Sequence, residues 1–251
     1  GTAKFFTLLL LLYHTSANLP GLQPDIIRIA KESGKPVIVV LLAGSAMALS
    51  WEDEHVDAIL DGFYPGAQGG AAIAEILFGG ANPEGKLPIT FYQTTEELPE
   101  FTDYAMKGRT YRYMENEALY PFGYGLSYTT YAYGNLECVK PFDAQDGITL
   151  QVTVTNTGDR EGTETLQVYV KAKREGTPNP QLKYVKKITL KPGESVTEEI
   201  HLSPEAFMLY DEKGNFTLEK GAYDIFVGGC QPDARSAALT GNAPQKLTVT
   251  Y

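Results

Sequence analysis

The hydrophobic pattern of this chain changes period once, and that change dictates its architecture. From about Tyr131 onward apolar and polar residues alternate. "GITLQVTVTNTGDREGTETLQVYVKA" holds two such runs joined by a polar, glycine-rich turn, and "YVKKITLKPGESVTEEIHLS" holds two more, turned at Pro192-Gly193. "GAYDIFVGG" and "QKLTVTY" add further runs. Alternation sends successive side chains to opposite faces, so each run reads as a strand with one buried face. Short strands with regularly spaced turns imply an antiparallel sandwich of immunoglobulin or fibronectin type III kind over residues 131–251.

Upstream the period is different. "LQPDIIRIAKESGK" places apolar Ile26, Ile27 and Ile29 ahead of a Ser33-Gly34 stop, a short amphipathic helix. "PVIVVLLAG" is a continuous β-branched run, as in a strand buried on both faces. "EDEHVDAILDGFYPG" opens with acids suited to a helix N-terminus and ends at Pro65-Gly66, and "GGAAIAEILFGG" is a helix with Ile73, Ile76 and Leu77 on one face. Alternating helix and strand predicts a parallel sheet with helical crossovers, a partial α/β-sandwich over residues 19–91. Residues 92–130 lack periodicity, and eight of the sixteen tyrosines fall between Tyr104 and Tyr133. They read as a structured connector.

"GGANPEGKLPITF" contains Gly80, Gly85 and Lys86 at the spacing of a phosphate-binding loop. Such a loop needs a strand before it, a helix after it and Ser or Thr beside the lysine. Here a helix precedes, Gly79-Gly80 suit its C-cap, Asn82–Gly85 suit a type I turn, and Leu87-Pro88 follow into an extended "ITF". The formal charge of -10 also argues against a nucleic-acid partner and favours a neutral ligand. Hydrophobic residues at 43% and charged residues at 21% are those of an ordinary globular chain.

Cys138 and Cys230 form no metal-ligand spacing with His14, His55 or His201, so neither a metal nor a cofactor is expected, and the state of the two thiols stays open. Residues 1–18 carry Lys4, the apolar run Phe5 to Tyr13, then small residues. The run is too short to span a membrane as a helix. It has the shape of a secretory signal, pointing to a secreted or periplasmic protein, and reads equally as a buried strand or the scar of a broken gene start. Glu52, Asp53 and Glu54 read as a solvated helix start, and Glu96-Glu97 as solvated connector. Trp51 reads as core. Tyr104 to Tyr133 could stack on sugars but read first as packing, and Arg109 and Arg112 as ion-paired pins of the connector.

The stretch from "GKPVIVVLLAGSAMALSW" through "FYPGAQGGAAIAEILFGGANPEGKLPITF" resembles the later part of the α/β-sandwich domain of glycoside hydrolase family 3. "DYAMKGRTYRY" and "LYPFGYGLSYTTY" are similar to the family's connector, and "VTNTGDREGTETLQVYV", "LKPGES" and "VGGCQPD" to its fibronectin type III-like domain. The resemblance runs from about residue 19 to 235, most similar to the β-xylosidase-like branch, with β-glucosidases close behind. It implies that Gly79 to Lys86 serve the scaffold, leading into the domain's last strand. It also implies a retaining, exo-acting hydrolase with an Asp nucleophile and a Glu acid/base, whose carboxyl groups retention requires to lie about 5–5.5 Å apart.

In the family the nucleophile belongs to an N-terminal (β/α)8 barrel, which nothing here resembles, and the acid/base precedes the position of Leu19-Pro20. This chain carries no carboxylate before Asp25. Neither catalytic residue can be carried over, so the chain is expected to be inactive alone. Oligosaccharide or aryl glycoside substrate is expected only for a complete enzyme. The alternative is a non-catalytic scaffold binding glycans or another subunit. Half of a doubly covered sheet predicts self-association or docking to a barrel, unless Phe5 to Tyr13 adds a strand. The sandwich is expected to be the more stable half.

Overall fold

The structure, a computed structural model, describes residues 4–9, 16–100, 102–211 and 213–251, with side chains from Ser16 on. It divides into two compact units. The first takes the chain up to Ala81, Ile89–Arg109 and Glu115–Tyr120, and the second takes Asn82–Pro88, Thr110–Met114 and Pro121–Tyr251. Residues 92–130 are therefore not a separate body; they are shared between the two.

The first unit is built on three parallel strands in the order β1 (Lys4–Leu9), β2 (Val37–Leu42), β3 (Ala58–Asp61). Strand β1 fulfils the expectation of an added strand: Lys4 to Leu9 run in register with Val37 to Leu42. His14 and the rest of the apolar run lie outside the described residues. Helix α1 (Gln23–Glu32) buries Ile27 and Ala30, but Ile26 and Ile29 are 41% and 65% exposed. The expected three-isoleucine face is thus only one residue deep, since residues two apart on a helix diverge. "EDEHVDAILDGFYPG" splits into α2 (Ser50–His55) and β3, with Val56 extended between them. Helix α3 (Gly69–Leu77) ends in a Schellman cap: Gly79 has φ 75°, its N–H donates to Ile76 O, and Gly80 N–H donates to Glu75 O. The expected type I turn and last strand are not seen. Residues 82–87 have no regular structure, and of "ITF" only Phe91 pairs, in a single bridge to Tyr120.

The second unit carries the short α4 (Thr110–Tyr113) ahead of a β-sandwich. One sheet orders β4 (Tyr131–Asp143), β5 (Gly147–Asn156) and β8 (Ser195–Leu202); the other orders β12 (Gln245–Thr250), β11 (Ala222–Gly228), β6 (Gly162–Ala172) and β7 (Gln181–Leu190). All these pairings are antiparallel. Two-residue strands β9 (Leu209–Tyr210) and β10 (Phe216–Thr217) form a small hairpin, and α5 (Ala234–Thr240) is capped by Asp233, whose carboxylate accepts from Ser236 N–H at 2.8 Å. The alternation places Ile148, Leu150, Val152 and Val154 of β5 opposite Leu166 and Val168 of β6, all six at 0% exposure. Each such side chain stabilises the fold by about 1.5–3 kcal/mol relative to leaving it in water. Consecutive runs do not pair as hairpins: β5 and β6, and likewise β7 and β8, lie in opposite sheets.

Strand β6 is buried on its outer face as well, at Thr165, Gln167 and Tyr169. The cover is the segment around Gly123. Gln167 Nε2 donates to Gly123 O at 3.0 Å, Tyr169 donates to Gln167 Oε1, and Tyr111 stacks on Phe122 at 4.2 Å and meets the edge of Tyr169. Gly123 has φ 78°, and a Cβ there would lie 2.3 Å from Gln167 Oε1. Gly123→Ala is expected to cost about 2–3 kcal/mol, combining left-handed strain with overlap on a packed face. A urea titration would check it, and a loss under half a kilocalorie would mean that the segment relaxes freely.

Candidate functional site

The polar centre of the second unit lies where β6 begins. Glu164 shares strand parity with Leu166 and Val168, so its carboxylate is carried onto the core face, 4% exposed. Tyr133, on β4 of the opposite sheet, donates to Glu164 Oε1 at 2.9 Å. Lys86 Nζ sits 3.6 Å from the same oxygen and donates to Gly125 O at 2.8 Å. A Cβ at Gly229 would fall 2.1 Å from Oε1, so the carboxylate needs glycine there. Burial raises the Glu164 carboxyl above its ordinary value, against the opposing pull of Lys86 and Tyr133. Tyr131 is pushed up to about 12, first by burial and then by the Glu164 charge, and burial pushes the Cys230 thiol up to about 11. These groups line a crevice of about 110 Å³ together with Asn242 and Thr240. That is below the several hundred Å³ of a pocket enclosing a whole small molecule.

The glycine and lysine of the phosphate-loop spacing are thereby accounted for. Lys86 neutralises a buried acid, and Gly125, opposite it, lets two backbones meet: a Cβ there would be 2.1 Å from Gly85 O. The neighbours Leu87 and Tyr124 exchange an N–H···O bond at 2.8 Å.

The acids singled out by the sequence do not form a pair of solvated groups. Glu52 is 5% exposed, because it lies three residues beyond the fully buried Leu49 on the same face of α2. Asp53 accepts a 2.7 Å hydrogen bond from the Tyr120 hydroxyl, and only Glu54 is exposed. Glu96 is exposed, whereas Glu97 accepts from Gln93 N–H at 2.9 Å. Trp51 is half-buried on α2, not in the core; its ring stacks on His55 at 4.3 Å with the Arg28 guanidinium 5.3 Å away. His201 is exposed beside Thr149.

Arg109 pins its segment through carbonyls rather than carboxylates, donating to Ala105, Glu100 and Asp103 oxygens. Arg112 lies 5.8 Å from the Tyr111 ring. Of the tyrosines, Tyr104 is 89% exposed, whereas Tyr111, Tyr120 and Tyr133 are engaged as described and Tyr131 is buried. Both cysteines are free thiols, Cys138 exposed and Cys230 buried. Among the described residues no cluster of His, Cys, Asp and Glu could hold a metal ion, and no helix is long and apolar enough to cross a membrane.

Glu164 is the group that sequence reasoning passed over. The available signal was an acid on the inward parity of an otherwise apolar run in "TETLQVYV". The other buried acid of this unit, Asp224, is held by Thr248 Oγ1 at 2.7 Å and Lys246 Nζ at 2.8 Å, which together with Lys173 keep its carboxyl below the usual range despite burial.

Comparison with known proteins agrees with this architecture. Residues 12–128 match the glycosyl hydrolase family 3 C-terminal domain, and residues 164–231 match the fibronectin type III-like domain. The first match begins inside the apolar N-terminal segment, seven residues before Leu19. A xylan 1,4-β-xylosidase of Xylanibacter ruminicola is 42% identical over 230 residues, 90% of this chain and 26% of that protein. A periplasmic β-glucosidase of Salmonella typhimurium is 39% identical, over 85% of this chain and 30% of its own length. The structure of β-glucosidase 3B from Thermotoga neapolitana in complex with α-D-glucose superposes with a TM-score of 0.80 at 31% identity, covering 93% of this chain and 34% of that one. The chain thus spans about a third or less of the relatives it matches. With its α/β unit, its interleaved connector and its seven-stranded sandwich, the chain belongs to glycoside hydrolase family 3 and corresponds to the C-terminal part of its members.

Proposed function

We propose that this chain is the C-terminal portion of a retaining, exo-acting β-glycosidase for β-xylosides or β-glucosides, and that these residues alone do not hydrolyse a glycosidic bond. The observation that carries the reading is the match over 85–90% of the chain to a xylan 1,4-β-xylosidase and a β-glucosidase. The acids support its second half. Retention needs two carboxyl groups facing one bond, whereas Glu164 and Asp224, the buried acids of the sandwich, are each tied to lysines in structural roles.

Aryl β-xyloside and aryl β-glucoside hydrolysis by the purified chain is the test. Release at the uncatalysed rate is expected for both substrates. Turnover of either substrate above the uncatalysed rate would overturn the reading, and its survival on mutation of Glu164 and Asp224 would place the carboxylate pair elsewhere in this chain.

A further inference from the structure

We infer that Arg112 and Lys183 form a binding site for a small oxyanion, the carboxylate or phosphate group of a ligand, where α4 meets the start of β7 in the second unit. Tyr111 ties the two positions together. The Arg112 guanidinium lies 5.8 Å from the Tyr111 ring, and the Tyr111 hydroxyl accepts from Leu182 N–H at 3.2 Å, one residue before Lys183. Asn179 fixes the arrangement: its N–H donates to Arg112 O at 2.8 Å, and its Nδ2 donates to Tyr111 O at 3.1 Å and Met114 O at 2.9 Å. Lys183 owes its place to a β-bulge. Tyr184 pairs with Val168 and Leu182 with Tyr169, which leaves Lys183 as the extra residue. A bulge of this kind takes a side chain out of the strand's alternation and re-aims it.

The charges select the ligand. Strand β7 carries three lysines, and two of them face acids: Lys186 pairs with Glu198, and Lys187 with Glu84 at 3.3 Å. Lys183 is half-buried where those two are exposed, yet among the described residues it has no acid partner; its Nζ donates only to Gln181 Oε1, at 3.3 Å. Arg112 is exposed and likewise makes no ion pair among the described residues. Burial first, and then the Arg112 charge, hold the Lys183 ammonium below its ordinary value, as expected of two neighbouring cations with no anion between them. An oxyanion removes that repulsion. The guanidinium offers two parallel N–H donors to two oxygens of one carboxylate or phosphate, and the ammonium supplies a further donor. A cation is repelled, and a neutral group leaves the repulsion in place. The chain's net charge of -10 is screened beyond about 8 Å at physiological ionic strength, so the local pair decides. The inference rests on these charges and not on the hydrolytic reading.

The test is a chemical-shift titration of the whole chain at neutral pH with sodium phosphate and, separately, sodium acetate, at ionic strength held constant with sodium chloride. The signals read are the Arg112, Leu182 and Lys183 amides and the Lys183 Cε carbon. Saturable shifts with a millimolar Kd are expected, tighter phosphate assigning a phosphate group and tighter acetate a carboxylate. Arg112→Gln and Lys183→Gln should each weaken binding about tenfold, with the melting temperature unchanged or higher because one of two repelling charges is gone. The Lys183 ammonium should titrate at higher pH both with the anion bound and in Arg112→Gln, a shift that a purely structural role for Arg112 would not produce. Saturation by neither probe, full binding by both glutamine variants, or a Lys183 titration unmoved in Arg112→Gln would each overturn the proposal. The hydrolysis assay reads a separate property, so either result can fail without the other.

Discussion

Asn156→Leu is expected to lower the stability of the second unit by about 3–5 kcal/mol, a large fraction of what a domain of this size possesses. Asn156 is fully buried, and all of its amide is used. Oδ1 accepts from Thr129 Oγ1 at 2.7 Å and from Gly158 N–H at 3.1 Å; Nδ2 donates to Arg160 O at 2.8 Å and Leu190 O at 2.9 Å. One side chain therefore ties the end of β5 to the turn that follows it, to the end of β7 in the other sheet, and to the segment leading into β4. Leucine matches the branched shape but removes the partner of the buried Thr129 hydroxyl and the amide donor to the Leu190 carbonyl, each lost bond in a dry interior costing about 1–3 kcal/mol. Strand pairing itself survives, since Asn156 N–H still reaches Glu194 O. Thr155→Ala, one residue away on the half-buried outer face and bonded to Ser195, should cost about 1 kcal/mol or less and serves as the comparison. Urea midpoints with unchanged m-values would establish the difference. Equal losses at the two positions would refute the account.

That contrast between neighbours also shows what the sequence made legible. Parity along "GITLQVTVTN" is enough to separate the buried Val154 and Asn156 from the half-buried Thr155 on the outer face, because a strand has only two faces. What parity cannot report is which strands pair. The turns after Asn156 and after Leu190 each lead across the sandwich, because polar and glycine residues suit an arch between sheets as well as a hairpin within one.

The α/β half was legible at the level of strand and helix alternation but not at its boundaries. A six-residue helix and a four-residue strand in "SWEDEHVDAILD" are each shorter than the window in which a period can be distinguished. Glu52 reads as part of a solvated helix start, whereas its spacing of three from the buried Leu49 turns it inward. The Lys86–Glu164 pair was illegible for a different reason. Its partners are 78 residues apart and belong to segments with unrelated periodicity, so only the fold brings them together.

Lys86→Met is expected to destabilise the second unit by about 3 kcal/mol at neutral pH, the lower end of the cost of stripping one partner from a buried pair, since Tyr133 still donates to the carboxylate. The defect should depend on pH in a definite direction. The folded-state pKa of Glu164 is already raised by burial, so the native state binds its proton more tightly than the unfolded chain does. Its contribution to stability is therefore greatest below the ordinary glutamate value and declines as pH rises through the raised one. Removing the Lys86 charge raises that pKa further. The gap between Lys86→Met and the parent should consequently be widest near about pH 8 and narrow towards about pH 4, where Glu164 is neutral in both. Asp224, whose carboxyl is held below the usual range, works in the opposite sense, but it is common to both proteins and cancels in the difference. Glu164→Gln supplies the remaining corner of the cycle: on that background Lys86→Met should cost about 1 kcal/mol or less and show no pH dependence. A pH-independent defect on the parent background would mean that Lys86 acts through its hydrogen bond to Gly125 O and its packing, with no electrostatic role towards Glu164.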